Sequence, residues 1–209
     1  MSVEVQWFGH ASFRLAGGKS VVYIDPWKLP GQPHDADVIF VSHSHYDHCS
    51  PSDVKKVSKE GTVIVAPADT IQKLGATNAI TPGESVAIQD ITVEAVAAYN
   101  IGKAFHPRGH NWCGAVITLG GKRVYYAGDT DLVPQMSDLK DVDLALLPVG
   151  GTYTMSADEA AAATKAIGCK AAVPYHWGDI IGSEKDAQAF ARAAACKVRV
   201  LQPGQSMTI

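Results

Sequence analysis

The chain has 209 residues, 46% of them apolar and 19% charged, with a formal net charge of −3. That balance excludes fibrous, collagen-like and disordered classes, allows a core of its own, and gives no general electrostatic grip on nucleic acid or anionic lipid. Met1 to Phe8 has no basic start ahead of an apolar run, and no later segment reaches the roughly 18 apolar residues of a membrane span, so neither secretion nor membrane insertion is expected.

The first half reads as short strands: Val3 to Phe8, Ser12 to Leu15, Ser20 to Ile24 and Val38 to Val41, with a hairpin at Gly17-Gly18. A helix is signalled by Ser50 as N-cap, Pro51 at the first helical position and Asp53 in the first turn, and it is expected to run to about Glu60. A strand at Thr62 to Ala66, a short helix at Asp69 to Leu74 and a strand at Ile91 to Ala98 follow.

The second half repeats the mixture. Ala115 to Leu119 and Arg123 to Ala127 flank Gly120-Gly121, a pair suited to a two-residue hairpin turn. Leu144 to Pro148 reads as a buried strand, and Ser156 with Glu159 as a capping box opening a helix to Ile167. A strand at Ala171 to Pro174, a helix at Glu184 to Ala195 and a strand at Val198 to Leu201 complete the chain. Two β-rich halves, each followed by helices, predict a mixed α/β (α+β) domain over 1–209: two sheets face to face with helices outside, a four-layer αββα sandwich. The cysteines Cys49, Cys113, Cys169 and Cys196 form no C-x-x-C pair, so no disulfide framework is expected, Cys49 reads as a packing residue, and the compartment expected is the cytoplasm.

His43, His45, Asp47 and His48 follow an apolar strand directly, four metal-competent side chains within six residues. Alternate residues of an extended loop point the same way, so His43 and His45 suit one ion, and Asp47 and His48, beyond a turn of the chain, suit another. Imidazole and carboxylate are the ligands zinc favours, with manganese or iron(II) as alternatives.

His43-Ser44-His45-Tyr46-Asp47-His48 resembles the H-x-H-x-D-H signature of the metallo-β-lactamase superfamily, followed in order by Gly128-Asp129-Thr130 and Pro174-Tyr175-His176. Phe8-Gly9-His10-Ala11-Ser12 and Ile24-Asp25-Pro26-Trp27 look like its short members related to ascorbate-phosphate lactonases and N-acyl-phosphatidylethanolamine phospholipases. The resemblance implies that His43, His45 and a third histidine hold one ion, that Asp47, His48 and His176 hold a second, and that Asp129 bridges them. It makes Asp47 and Asp129 catalytic. Gly128 is expected to let the backbone approach the metals closely. Relatives place the third histidine where this chain has Asn100; His106 and His110 lie on the same connection, and His106 is preferred because Pro107 stiffens the loop behind it, with Asn100 or water completing a weaker first site if neither binds. His10 and Asp25 are expected to orient ligands from behind or to be structural, Tyr153 and Trp177 to border the site, and His34 to be exposed.

Such a site implies a dinuclear metal-dependent hydrolase in which a hydroxide formed near neutral pH attacks a small ester, lactone or phosphodiester, with Asp129 orienting it. An alternative is a nuclease, for which Lys103 to Arg108 is the one modest basic stretch; a di-iron redox module is disfavoured because such relatives carry glutamate where this chain has His45. The partner expected is a small molecule, and the oligomeric state is left open.

Overall fold

The computed structural model describes residues 1–209. Strands β1 (Val3–Gly9) and β2 (Ser12–Gly17) bury one face of alternating side chains, whereas β3 (Ser20–Ile24) and β4 (Ala36–Phe40) are buried on both faces. With β5 (Ser58–Ala66), β6 (Asn78–Ala79) and β14 (Ser206–Thr208) they form a sheet of order β14-β1-β2-β3-β4-β5-β6. The second sheet, β13-β12-β11-β10-β9-β8-β7, is built from β7 (Ser85–Ile88), β8 (Ile91–Ala97), β9 (Cys113–Leu119), β10 (Lys122–Tyr126), β11 (Leu144–Pro148), β12 (Ala171–Tyr175) and β13 (Lys197–Val198).

The two sheets have matching topology: three antiparallel pairings in sequence followed by three parallel ones in each. Between them lies one apolar core in which Val5, Phe13, Ile24 and Phe40 meet Val93, Ile117, Tyr126 and Leu146. Helix α1 (Pro51–Val57) covers the outer face of the first sheet, where Val54 and Val57 pack with Tyr23, Ile39 and Val41, and α2 (Ile71–Leu74) adds Leu74. Helix α3 (Ala157–Ile167) packs on β11, and α4 (Glu184–Ala193) on β12. The architecture is thus the mixed αββα sandwich, and the parallel strands β3, β4, β10, β11 and β12 leave their carboxyl ends along one crevice, the usual ligand position in such sheets.

The boundaries depart from the sequence reading where side chains compete for the backbone. α1 ends at Val57, short of Glu60, because Ser58 turns extended, returns its hydroxyl to the Val54 carbonyl at 2.7 Å and pairs with Ala36 of β4. α4 ends at Ala193, since the Ala195 N–H is taken by Thr164 Oγ1 at 2.9 Å. The last predicted strand shrinks to Lys197–Val198, and β6, β7 and β14 went unseen: short edge or near-edge segments carry little periodic signal of their own. The first hairpin turns at Gly18-Lys19; Gly17 stays in the ladder opposite Ser20, where a Cβ would press on Val3 and Leu119. The two-glycine turn between β9 and β10 forms with φ of +58° and +78°. Cys49 and Cys113 are buried.

Asp53 latches the first crossover. Its carboxylate accepts from the Leu29 N–H (3.1 Å), the Lys28 N–H (3.2 Å), the Ser50 hydroxyl (2.8 Å) and Lys56 (2.7 Å), tying the β3–β4 connection to the start of α1. Burial opposes its ionisation, but these donors outweigh that and hold its pKa below the ordinary carboxylate value. A lowered folded pKa contributes stability that is complete above the unfolded value near 4 and is lost as pH falls through the folded one. In urea titrations at several pH values, Asp53→Asn is expected to be less stable than the parent by about 1–2 kcal/mol at neutral pH, with the gap closing below about pH 4.

Candidate metal centre

The strand β4 ends at Phe40, and residues 41–50 leave the sheet as an irregular loop before α1. Its turn is closed by His48 and Cys49 N–H groups on the His45 carbonyl (3.1 and 2.8 Å), which sends Asp47 and His48 away from His43 and His45. Other connections bring the rest: His10 from the β1–β2 turn, Asp25 after β3, Asn100 and His106 after β8, Asp129 after β10, and His176 after β12.

Besides a set formed by Asp25, His43 and His48, two groups of donor atoms result, each with its members within 4.8 Å of one another: His43, His45 and His106, and His10, Asp47, His48 and His176. Asp129 faces both. Its Oδ2 lies 3.3 Å from His106 Nε2 and 3.1 Å from His176 Nε2, and its Oδ1 lies 3.4 Å from His48 Nε2. His43 Nε2 and His45 Nδ1 are 3.0 Å apart, and His48 Nε2 and Asp47 Oδ2 3.6 Å. Ligands around a tetrahedral ion with bonds of 2.0–2.1 Å sit roughly 3.3 Å apart. The observed spacings bracket that value.

Hydrogen bonds behind the imidazoles fix their tautomers. The Asp25 carboxylate accepts from His48 Nδ1 at 2.7 Å, from the Ser42 hydroxyl at 2.5 Å and backbone at 2.7 Å, and from the Tyr126 hydroxyl at 2.6 Å. Because that hydroxyl proton of Ser42 is committed, its oxygen accepts from His43 Nδ1 at 2.9 Å. Asn100 Oδ1 accepts from both the Nδ1 and the backbone N–H of His106, each at 3.0 Å, while the Asn100 amide donates to Asp131 and to the Tyr153 carbonyl. In His43, His48 and His106 the Nε2 lone pair is therefore turned inward.

Several of those inward atoms are buried and unpartnered: Nε2 of His48, His106 and His176, and Oδ1 of Asp129. Buried polar atoms are normally satisfied, so a cluster of unpartnered acceptors and ring nitrogens at one point fits a cation. The electrostatics agree. Burial keeps His43 and His45 below the ordinary imidazole pKa, hence neutral. Asp47 is pulled down to about 2, burial being outweighed by the bond from His10 and the charge of His48. Asp129 is held well below the carboxylate range because His176 and His48 outweigh its burial. Burial likewise opposes charge on His48, yet Asp129 and Asp25 raise it well above its ordinary value; the site attracts positive charge.

The geometry is strained where it must be close. His10, Asp25 and His176 all have positive φ (+48°, +41° and +62°), uncommon for residues with a Cβ and concentrated at functional sites. Gly150 makes room for His176, since a Cβ there would come within 3.1 Å of its Nδ1. Gly128 also has positive φ, +68°, but the backbone it approaches is Cys113 of β9, not the donor cluster.

His110 is brought to no cluster: it is exposed in a short 3-10 turn and packs on Trp112. His34 is exposed as expected and bonds the Ser58 carbonyl. Trp177 is buried against Trp7, away from the cavity, whereas Tyr153 lines it. The sequence reading missed Ser42, Tyr126 and Trp112, the last a buried wall against His43 and His45 that also bonds Asp69. Ser42 adjoins the motif and was within reach; Tyr126 and Trp112 read as ordinary strand and loop aromatics. A cavity of about 220 Å³ opens on the cluster, lined by His45, Tyr46, Asp47, Phe105, His106, Asp129, Tyr153, His176 and Ile180.

Two sheets with a histidine and aspartate cluster at their carboxyl ends define a metal-dependent hydrolase of the αββα class. The sequence matches the family described as "Beta-lactamase superfamily domain" over residues 4–176, and the chain belongs to that family, the metallo-β-lactamase superfamily, as one of its short hydrolases. It is 32% identical to a UPF0173 metal-dependent hydrolase of Symbiobacterium thermophilum over 99% of this chain and 100% of that one, and 33% identical to a UPF0173 metal-dependent hydrolase of Thermus thermophilus over 99% of each. The solved structure of Igni18, a metallo hydrolase from Ignicoccus hospitalis, superposes with a TM-score of 0.82 at 25% identity, covering 100% of this chain and 99% of the other. No helix is long and apolar enough to cross a membrane.

Ligand binding to the folded state alone raises stability by ~2.7 kcal/mol at 100 times the Kd. For a chain of this size, chelating the metal is expected to lower Tm by about 5–10 °C, with recovery on adding a divalent ion. Scanning calorimetry with and without chelator checks it; an unmoved Tm would mean that the converging nitrogens hold nothing.

Proposed function

We propose that the enzyme is a dinuclear hydrolase, with zinc as the expected metal, that cleaves a small ester, lactone or phosphodiester. The observation that carries this reading is Asp129, a single buried carboxylate within 3.1–3.4 Å of ring nitrogens from both donor groups. In this reading His43, His45 and His106 hold one ion, Asp47, His48 and His176 the second, and Asp129 spans both. When bound, the ions would supply Lewis acidity and lower the pKa of a nearby water toward ~7.

The protein's own groups do the rest. Asp129, ionised and with its Oδ1 making no hydrogen bond to the protein, orients the attacking water. His10 steadies Asp47 through its Nε2, 2.8 Å from Oδ2. Asp25 and Asn100 act through His48 and His106, holding each ring so that its Nε2 faces the centre. His43 and His45 stay neutral by burial, which keeps their lone pairs available without a prior loss of protons.

A nuclease would need a basic groove, and the structure offers no support for one. Lys103 is committed to Asp131 and to the Gly151 and Thr154 carbonyls, and Arg108 lies over the Tyr99 ring.

The test is metal quantification on protein purified without added metal, joined to a hydrolysis screen over lactone, thioester and phosphodiester substrates. Asp129→Ala is expected to lose both ions and all turnover, His106→Ala to lose one ion, and His110→Ala to keep both. Full metal content with undiminished turnover in Asp129→Ala would refute the assignment.

A further inference from the structure

Large apolar side chains are rarely exposed on this protein, and they gather at one place. Besides Met1, those standing out in solvent are Tyr46, Ile101, Phe105 and Ile180, and three of these four line the mouth of the cavity over the donor cluster. Each comes from a loop that also delivers a donor: Tyr46 between His45 and Asp47, Phe105 beside His106, and Ile180 shortly after His176. Tyr153 joins from the β11–α3 loop, its ring edge-on to Phe105 at 4.6 Å. An apolar rim on a soluble face marks a contact surface.

Ile180 adds an independent sign. It holds φ of +64°, a conformation that a β-branched residue adopts only under strain, inside a tight loop closed by the Gly178 N–H on the Gly182 carbonyl and by the Asp179–Ile181 bridge. The chain strains its backbone to keep an isoleucine, 45% exposed, over the centre. Lysine and arginine are kept from the same walls, whose only charged groups are the carboxylates Asp47 and Asp129 of the donor cluster. Nearby Lys28 is paired with Asp179 at 2.6 Å. Nothing beyond the metals themselves would clamp an anion, whereas an apolar arm would meet rings and an isoleucine.

We propose that the site takes a neutral carboxylic ester or lactone carrying a short apolar arm beside its scissile carbonyl, held by Tyr46, Phe105, Tyr153 and Ile180. The inference rests on the metal-hydrolase reading above and narrows its substrates to the acyl class, away from phosphodiesters. Water adds to the acyl carbon, the C–O bond to the alkoxy group breaks, one water proton passes to the leaving alkoxide and the other leaves the acid to solvent. The cavity's 220 Å³ admits the reacting group and a short arm, and anything longer leaves through its open mouth.

The experiment uses metal-loaded protein whose ion content has been measured. Straight-chain alkyl hydroxamates from acetyl to octanoyl are titrated by calorimetry, and p-nitrophenyl acetate, butyrate and hexanoate are compared with bis(p-nitrophenyl) phosphate for turnover. Affinity is expected to rise about 3- to 4-fold per methylene, the transfer value for a buried CH₂, and to level off at about four or five carbons; kcat/KM for the esters follows, and the phosphodiester falls below the butyrate ester. In Ile180→Gly, which suits the positive φ, and in Phe105→Ala, the gain per methylene drops below about 2-fold. Affinity independent of chain length, a preferred phosphodiester, or a concentration-dependent dimer in sedimentation that Ile180→Gly abolishes would overturn the proposal while leaving the metal site standing. Protein that takes up no metal would bring down both, and the ion measurement tells the two failures apart.

Discussion

The site hangs on one buried carboxylate that binds no substrate. Asp25 lies fully buried at the end of β3 and receives hydrogen bonds from the residue after β4's apolar run, from the motif histidine His48 and, across the core, from Tyr126 of the other sheet. Charge-assisted bonds of this kind are the strong ones in a low-dielectric interior, and a buried carboxylate with several donors is tolerated where one with none is not. Asp25 thereby fixes the position of the H-x-H-x-D-H loop relative to both sheets, and every distance within the donor cluster inherits that constraint.

Around this anchor the protein assembles a local excess of lone pairs and negative charge. Burial alone would neutralise carboxylates and exclude charge from imidazoles. Here Asp47 and Asp129 remain ionised and His48 is drawn toward the charged form, so the folded chain holds an electrostatic demand that its own side chains leave unanswered. The left-handed backbone at His10, Asp25 and His176 is part of the same arrangement, conformational strain carried by a rigid sandwich on either side.

The outer ring of the site differs in kind from its centre. Donor side chains turn inward from the connecting loops, while Tyr46, Phe105 and Ile180, carried on the same loops, stand out in solvent. Chemistry fixed at the sheet ends and selectivity carried on exposed loops is the division of labour that lets one αββα framework serve many hydrolases.

Much of the fold and of the donor set was legible in the sequence. Local signals named them: the apolar strand before His43, the Ser50-Pro51 helix start, the Ser156 and Glu159 box, the paired glycines between β9 and β10, and the family motif with Asp129 and His176. These are short-range patterns, and a linear chain displays them whole. What the tertiary structure alone decided was which distant groups meet. It chose His106 over His110 for the cluster, turned Asn100 into the acceptor that aims His106, set Tyr126 and Ser42 on Asp25, and separated Tyr153 from Trp177. Those outcomes depend on packing between segments more than a hundred residues apart, where hydrogen-bond direction and backbone φ, rather than residue type or spacing, determine which side chain reaches the centre.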